Sequence, residues 1–129
     1  MKTIKIDQPI TLEHFEEIIV TALEGGSNYW YELNVNEFNT ELELEASEPI
    51  STRIAKTLYE KPEFKMNVYD VENPEELLGT VTQKSMLKAI ELAQKDYNNV
   101  FYDLMDGTGD VDTADVLFQL ATMEELVFG

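Results

Sequence analysis

Between Thr11 and Leu23 the apolar residues Leu12, Phe15, Ile18, Ile19, Ala22 and Leu23 recur at helical spacing, with Glu13, Glu16, Glu17 and Glu24 off the stripe. Thr11 suits the N-cap, the first turn is acidic and Gly25-Gly26 supplies a stop, so the pattern predicts a helix. The period then shortens. Tyr29-Trp30-Tyr31-Glu32-Leu33-Asn34-Val35 is aromatic and β-rich. Thr40-Glu41-Leu42-Glu43-Leu44-Glu45-Ala46 alternates strictly, with three glutamates on one face and Leu42, Leu44 and Ala46 on the other. Thr3 to Asp7 alternates weakly and reads as a further short strand.

Pro49 to Tyr59 predicts a short helix, with Ser47 or Glu48 near its start and Pro62 beyond its end. Lys65 to Val71 and Leu77 to Thr82 predict a hairpin around the Asn73-Pro74 turn. Gln83 to Tyr97 predicts a second amphipathic helix, with Met86, Ile90, Ala93 and Tyr97 along one side. A loop, Asp106-Gly107-Thr108-Gly109-Asp110, precedes a third helix whose stripe is Ala114, Leu117, Leu120 and Ala121. Asp112 is its expected N-cap, with Asp115 three residues on completing a capping-box-like pair. Glu125 to Phe128 is either a final helical turn or a strand closing against the sheet. No linker, repeat or low-complexity segment interrupts residues 1–129. The fold class expected is one α+β domain: a small antiparallel sheet of about four or five strands packed with three main helices on one face.

Charge changes this picture more than composition does. The 129 residues hold 26 acidic and 9 basic side chains, a net charge of −17. No basic residue stands between Lys5 and Arg53, and none follows Lys95. Charge so segregated repels nucleic acid and anionic membrane surfaces and attracts basic protein surfaces; the competing account is a plain solubility charge. With 43% apolar residues, six Tyr, six Phe and one Trp, the chain has the makings of a packed core. It contains no cysteine, which rules out disulfides and thiolate chemistry and fits a reducing cytosol. No run approaches the roughly eighteen apolar residues of a membrane span, and Met1 to Asp7 does not read as a signal peptide.

The chemistry on offer is sparse. The one histidine, His14, sits in the first turn of the first helix, where a surface or helix-end role is expected. No nucleophile elbow or phosphate-binding glycine loop is present, so catalytic residues are expected to be none and the chain is read as a non-enzyme. One histidine without cysteine makes zinc a poor fit. The loop from Asp106 imitates a calcium-binding frame: with Asp115 twelfth, Asp106 falls third, Thr108 fifth, Gly109 sixth, Val111 eighth and Asp112 ninth. The first position is then Leu104, which lacks the leading carboxylate, and an acidic helix start explains the pattern equally. No metal or other cofactor is therefore assigned.

In Tyr29-Trp30-Tyr31, strand alternation sends the tyrosines one way and Trp30 the other, so Trp30 is expected in the core and the tyrosines half exposed. The Glu41, Glu43, Glu45 ladder is the sharpest feature. Alternate strand residues lie about 6.6 Å apart, close to two steps of about 3.4 Å along a DNA strand. Such a row fits a groove built for a phosphate backbone, although the solvated outer face of an amphipathic strand produces the same pattern.

Two stretches resemble a family of small acidic proteins of phages and prophages. One is Ala22-Leu23-Glu24-Gly25-Gly26-Ser27-Asn28-Tyr29-Trp30-Tyr31; the other runs from Asp112-Thr113-Ala114-Asp115 to Glu125-Leu126-Val127-Phe128-Gly129. The resemblance implies a mobile-element origin, a place in the host cytosol and no catalytic residues. The function it favours is an anti-defence, anti-CRISPR-like or DNA-mimic inhibitor that binds a basic, nucleic-acid-binding host protein. Partner-binding residues would be Glu41, Glu43 and Glu45, joined by Asp106, Asp110 and Asp112. The alternative is a sponge for a nucleotide immune signal, with Asn28, Tyr29, Tyr31 and Arg53 as ligand-binding residues. A third reading is a virion-associated structural protein. Direct nucleic-acid or membrane binding is not expected, and a monomer and a homo-oligomer are both compatible with the pattern.

Overall fold

The computed structural model describes residues 9–42 and 47–129. Helix α1 spans Leu12–Thr21 and begins at Thr11 as the sequence predicts, its backbone N–H donating to Nδ1 of His14 at 3.0 Å. The first helix does not stop cleanly at the glycines. It widens into a π-type turn, Ala22–Gly26, closed by the Ser27 N–H on the Ala22 carbonyl at 2.9 Å. Ser27 to Trp30 then turns sharply, so the aromatic segment contributes only a two-residue strand, β1, Tyr31–Glu32.

The predicted strand from Thr40 gives way from its start. Val35–Glu37 and Asn39–Glu41 form successive 3₁₀ turns around Phe38, which is buried edge-on against Phe64 with ring centroids 5.8 Å apart. Burial of Phe38 overrides the local β pattern, since strand preference is largely a statement about packing context. Leu42 is buried as its apolar phase predicts, while residues 43–46 lie outside the described residues, as does the Thr3–Asp7 strand.

Helix α2 covers Ile50–Glu60, strands β2 and β3 cover Met66–Asp70 and Leu77–Val81, and α3 covers Gln83–Asp96. The hairpin register opposes Met66 to Val81 and Val68 to Gly79, then shifts by a bulge before Tyr69 meets Leu77. Strand β1 joins the other edge of β2, giving an antiparallel sheet in the order β1-β2-β3. Three strands are thus described where four or five were expected. Met66, Val68 and Val81 point into the core, and Asn67, Tyr69 and Thr80 lie half-buried on the opposite face.

Five α-helices are described, and α4 is the addition to the three main helices and the short Pro49–Tyr59 helix that the sequence predicts. Helix α4, Asn98–Asp106, follows α3 after a break at Tyr97 and buries Phe101 and Leu104. Helix α5, Val111–Met123, starts earlier than predicted: Asp110, not Asp112, is the N-cap. Its carboxylate accepts the Asp112 and Thr113 N–H groups, both at 3.0 Å, while the Thr113 hydroxyl accepts from the Asp110 N–H at 3.3 Å. Asp115 is thereby displaced from the helix end into the second turn.

Helix α5 packs against α1, α3, α4, β3 and the π-turn, and from Thr113 to Thr122 every residue except Val116 is buried. Two glycines admit it. A Cβ on Gly79 would overlap the Thr122 carbonyl oxygen, and one on Gly26 would lie 2.7 Å from the Val111 carbonyl oxygen. Both are sites where one backbone meets another with no room for a side chain.

Candidate functional site

The most developed polar arrangement in the molecule is centred on Asp115. Its side chain projects from α5 toward the turn after α1 and is only 9% exposed. Oδ1 accepts from the Ser27 hydroxyl and from Nε1 of Trp30, each at 2.7 Å. Oδ2 accepts from the Tyr29 hydroxyl at 2.5 Å and from Nε2 of Gln119, one turn along α5, at 3.1 Å. A buried carboxylate is costly unless every lone pair is satisfied; here four donors replace water, and none of the four is a cation. Among the described residues, no buried side-chain nitrogen or oxygen lacks a partner.

Gln119 extends the network to the final residues. Its Oε1 accepts the backbone N–H groups of Val127 and Phe128 at 3.0 and 2.9 Å, and Nε2 donates to the Phe128 carbonyl at 3.0 Å. Phe128 lies nearly parallel to Trp30, ring centroids 5.3 Å apart at 13°. The segment after α5 is therefore neither a helical turn nor a sheet strand. It is an irregular tail clamped by one glutamine and one indole.

Trp30 is buried as expected, but the two tyrosines part company. Tyr29 as a residue is 52% exposed while its hydroxyl is turned inward onto Asp115. Partial burial first, then the bond and charge of Asp115, raise its phenol to about 12. Tyr31 is half-buried, donates to the Leu23 carbonyl at 2.6 Å and is likewise raised to about 12, by burial and then by repulsion from Glu32 and Glu24.

The proposed nucleotide-binding set does not converge on one cavity. Asn28 and Tyr31 line a groove of about 430 Å³ with Leu23, Pro49, Ile54 and two carboxylate residues, Glu24 and Glu32. Tyr29 lines a different cleft, of about 560 Å³, with Asp112, Val116, Leu126 and Phe128. Arg53 lies half-buried on α2. Glutamates at the first groove disfavour a phosphate there.

The acidic candidates are likewise redistributed. Glu41 is exposed at the end of a 3₁₀ turn, and its backbone carbonyl accepts from Nζ of Lys61 at 3.2 Å. The ladder's other members, Glu43 and Glu45, lie outside the described residues. Asp106 ends α4, Asp110 caps α5 and Asp112 lies in the first turn of α5, all exposed. The amides and hydroxyl that Asp110 accepts, chiefly from Thr113, hold its carboxyl below the usual value. The calcium frame fares poorly on geometry, because its twelfth residue, Asp115, faces inward onto Ser27, Tyr29 and Trp30. No group of three or more His, Cys, Asp or Glu side chains among the described residues is arranged to hold a metal ion.

A different acidic surface emerges. Glu17, on α1, meets the α4–α5 corner, where it lines a small cleft with Thr21, Gly109 and Asp110, and Glu13 precedes it by one turn on the same helix. Neither α1, α4, α5 nor the loop between the last two carries a lysine or arginine. Comparison with protein-family models, with curated proteins and with solved structures gives no match.

The sequence pointed to Asp115 only as a capping or calcium residue, and Ser27 and Gln119 were not singled out. One signal is present: of the two stretches set apart in the sequence, residues 22–31 contain Ser27, Tyr29 and Trp30, and residues 112–129 contain Asp115, Gln119 and Phe128. They meet at this network.

Proposed function

We propose that the protein is a binding protein without a reaction of its own, which uses the cation-free face of α1, α4 and α5 to occupy a basic, nucleic-acid-binding groove on a host protein. The observation that carries this reading is that Glu13, Glu17, Asp103, Asp106, Asp110 and Asp112 come from elements that contact one another and hold no lysine or arginine. Uncompensated charge over such an area steers a basic partner and repels nucleic acid. An inhibitor of host defence is the role proposed for it, in line with the expected kinship to small acidic phage proteins. None of the described lysines and arginines belongs to α1, α4 or α5; they lie on α2, α3 and the chain between α2 and β2.

The test is capture of host proteins on the immobilised chain and on a Glu17→Lys/Asp106→Lys/Asp112→Lys variant. Expected is a partner that binds the parent, is released by salt and by duplex DNA, and is lost from the variant. A partner retained equally by the variant and indifferent to DNA would overturn the reading.

A further inference from the structure

We propose that the cleft formed by Tyr29, Asp112, Val116, Leu126 and Phe128 docks an arginine side chain, flanked by apolar residues, from a segment of the protein partner. The inference rests on the acidic-face reading above and assigns that face an anchoring point.

The chemistry of the cleft is mixed in a specific way. Val116, Leu126 and Phe128 give it an apolar wall, Tyr29 an aromatic surface and Asp112 a carboxylate. Among the described residues, no hydrogen bond or ion pair takes up the Asp112 carboxylate, whereas its neighbour Asp110 is engaged in capping α5. Nor does a lysine or arginine line the cleft. A long apolar stem ending in a delocalised cation matches this surface: the stem covers the wall, and the guanidinium meets both the carboxylate and the ring. At about 560 Å³ the cleft exceeds one side chain, which leaves room for apolar neighbours on the same segment.

Tyr29 supplies the second argument. An aromatic residue that is 52% exposed is normally free to reorient, but this one is tethered through its hydroxyl to buried Asp115 and Gln119. Its orientation is fixed before a partner arrives, so little side-chain freedom remains to be lost on binding. The Gln119 clamp holds Phe128 in the same way. The donors around Asp115 thus build a rigid recognition surface on which the Asp112 carboxylate has no partner among the described residues.

The experiment is an amide NMR titration of the whole chain with blocked acetyl-Leu-Arg-Leu-amide, its lysine counterpart and its neutral citrulline counterpart, at low and high salt. Expected are shifts centred on Tyr29, Asp112, Val116 and Leu126, with arginine preferred over lysine and citrulline inactive. Asp112→Asn and Leu126→Ser, both at exposed positions, should each weaken binding about fivefold. Salt-sensitive shifts spread over Glu13, Glu17 and Asp106, equal for arginine and lysine and unchanged in both variants, would overturn the anchor and leave the acidic-face reading standing. Concentration-dependent shifts at the cleft without peptide would overturn it in favour of a second copy as occupant. No shifts at any residue at low salt would overturn both readings.

Discussion

Asp112 and Asp115 lie less than one turn apart on the same helix and perform opposite tasks. Asp115 is surrounded by donors from Ser27, Tyr29, Trp30 and Gln119 and is withdrawn from water. Asp112 is exposed, and its carboxylate accepts nothing among the described residues. The helix does not distinguish them chemically; the turn after α1, packed over one side of α5 only, does. A carboxylate with four fixed donors is a structural rivet, while one left in solvent is charge on offer to a partner.

Removing the rivet has the largest expected effect. Asp115→Ala strands the Ser27 hydroxyl and the Trp30 indole N–H without an acceptor, and should cost roughly 3–5 kcal/mol in urea denaturation. Asp115→Asn keeps the shape and an acceptor for those two, but presents an amide to Tyr29 and Gln119, and should cost about 1–3 kcal/mol. An Asp115→Ala variant as stable as the parent would mean that the network is ornamental.

Loosening one donor comes next. Tyr29→Phe keeps the ring and should cost about 1 kcal/mol. The same phenol can be removed by pH. Tyr29 and Tyr31 are raised from 10.0 to about 12, so the fold favours their neutral forms; that stability is intact below pH 10 and lost as pH rises toward 12. Tyr69, whose hydroxyl donates to Glu37, is raised as well, so spectrophotometric titration should show three late-ionising tyrosines in the parent and two in Tyr29→Phe. Uniform ionisation near pH 10 would contradict the contacts described.

The exposed carboxylates should matter less. Asp110→Ala removes the α5 cap and should lower Tm by a few degrees. Because its carboxyl is held below the ordinary 3.8, its contribution is present above that pH and lost as the pH falls through the depressed folded value; thermal melts of parent and variant should converge in acid. Asp112→Lys should change stability by no more than about 0.5 kcal/mol, while weakening any partner that reads the acidic face. A large loss of stability on Asp112→Lys would erase the contrast with Asp115.

Where side chains repeat with a clear period, the fold was legible. Phe15, Ile18 and Ile19 mark α1 because three-to-four-residue spacing leaves one side apolar, and α2, α3 and the β2–β3 hairpin follow from equally local signals. It failed where a single residue is claimed by distant packing. Phe38 reaches Phe64 and turns a β-patterned stretch into 3₁₀ turns, and α4 buries only Phe101 and Leu104, too few to stand out as a stripe.

The candidate site divides the same way. Net charge, the absence of cysteine, the cation-free stretches between Lys5 and Arg53 and after Lys95, and the inward setting of Trp30 are properties of residue order, and the sequence by itself determined them. The pairing of α1 with α5, and with it the acidic face, the locked Tyr29 ring and the buried carboxylate, was decided by tertiary structure alone. Asp115 lies 88 residues from Ser27, 86 from Tyr29 and 85 from Trp30 along the chain. No periodicity spans such distances, because the choice between a solvated and a buried aspartate depends on which donors the fold brings to it.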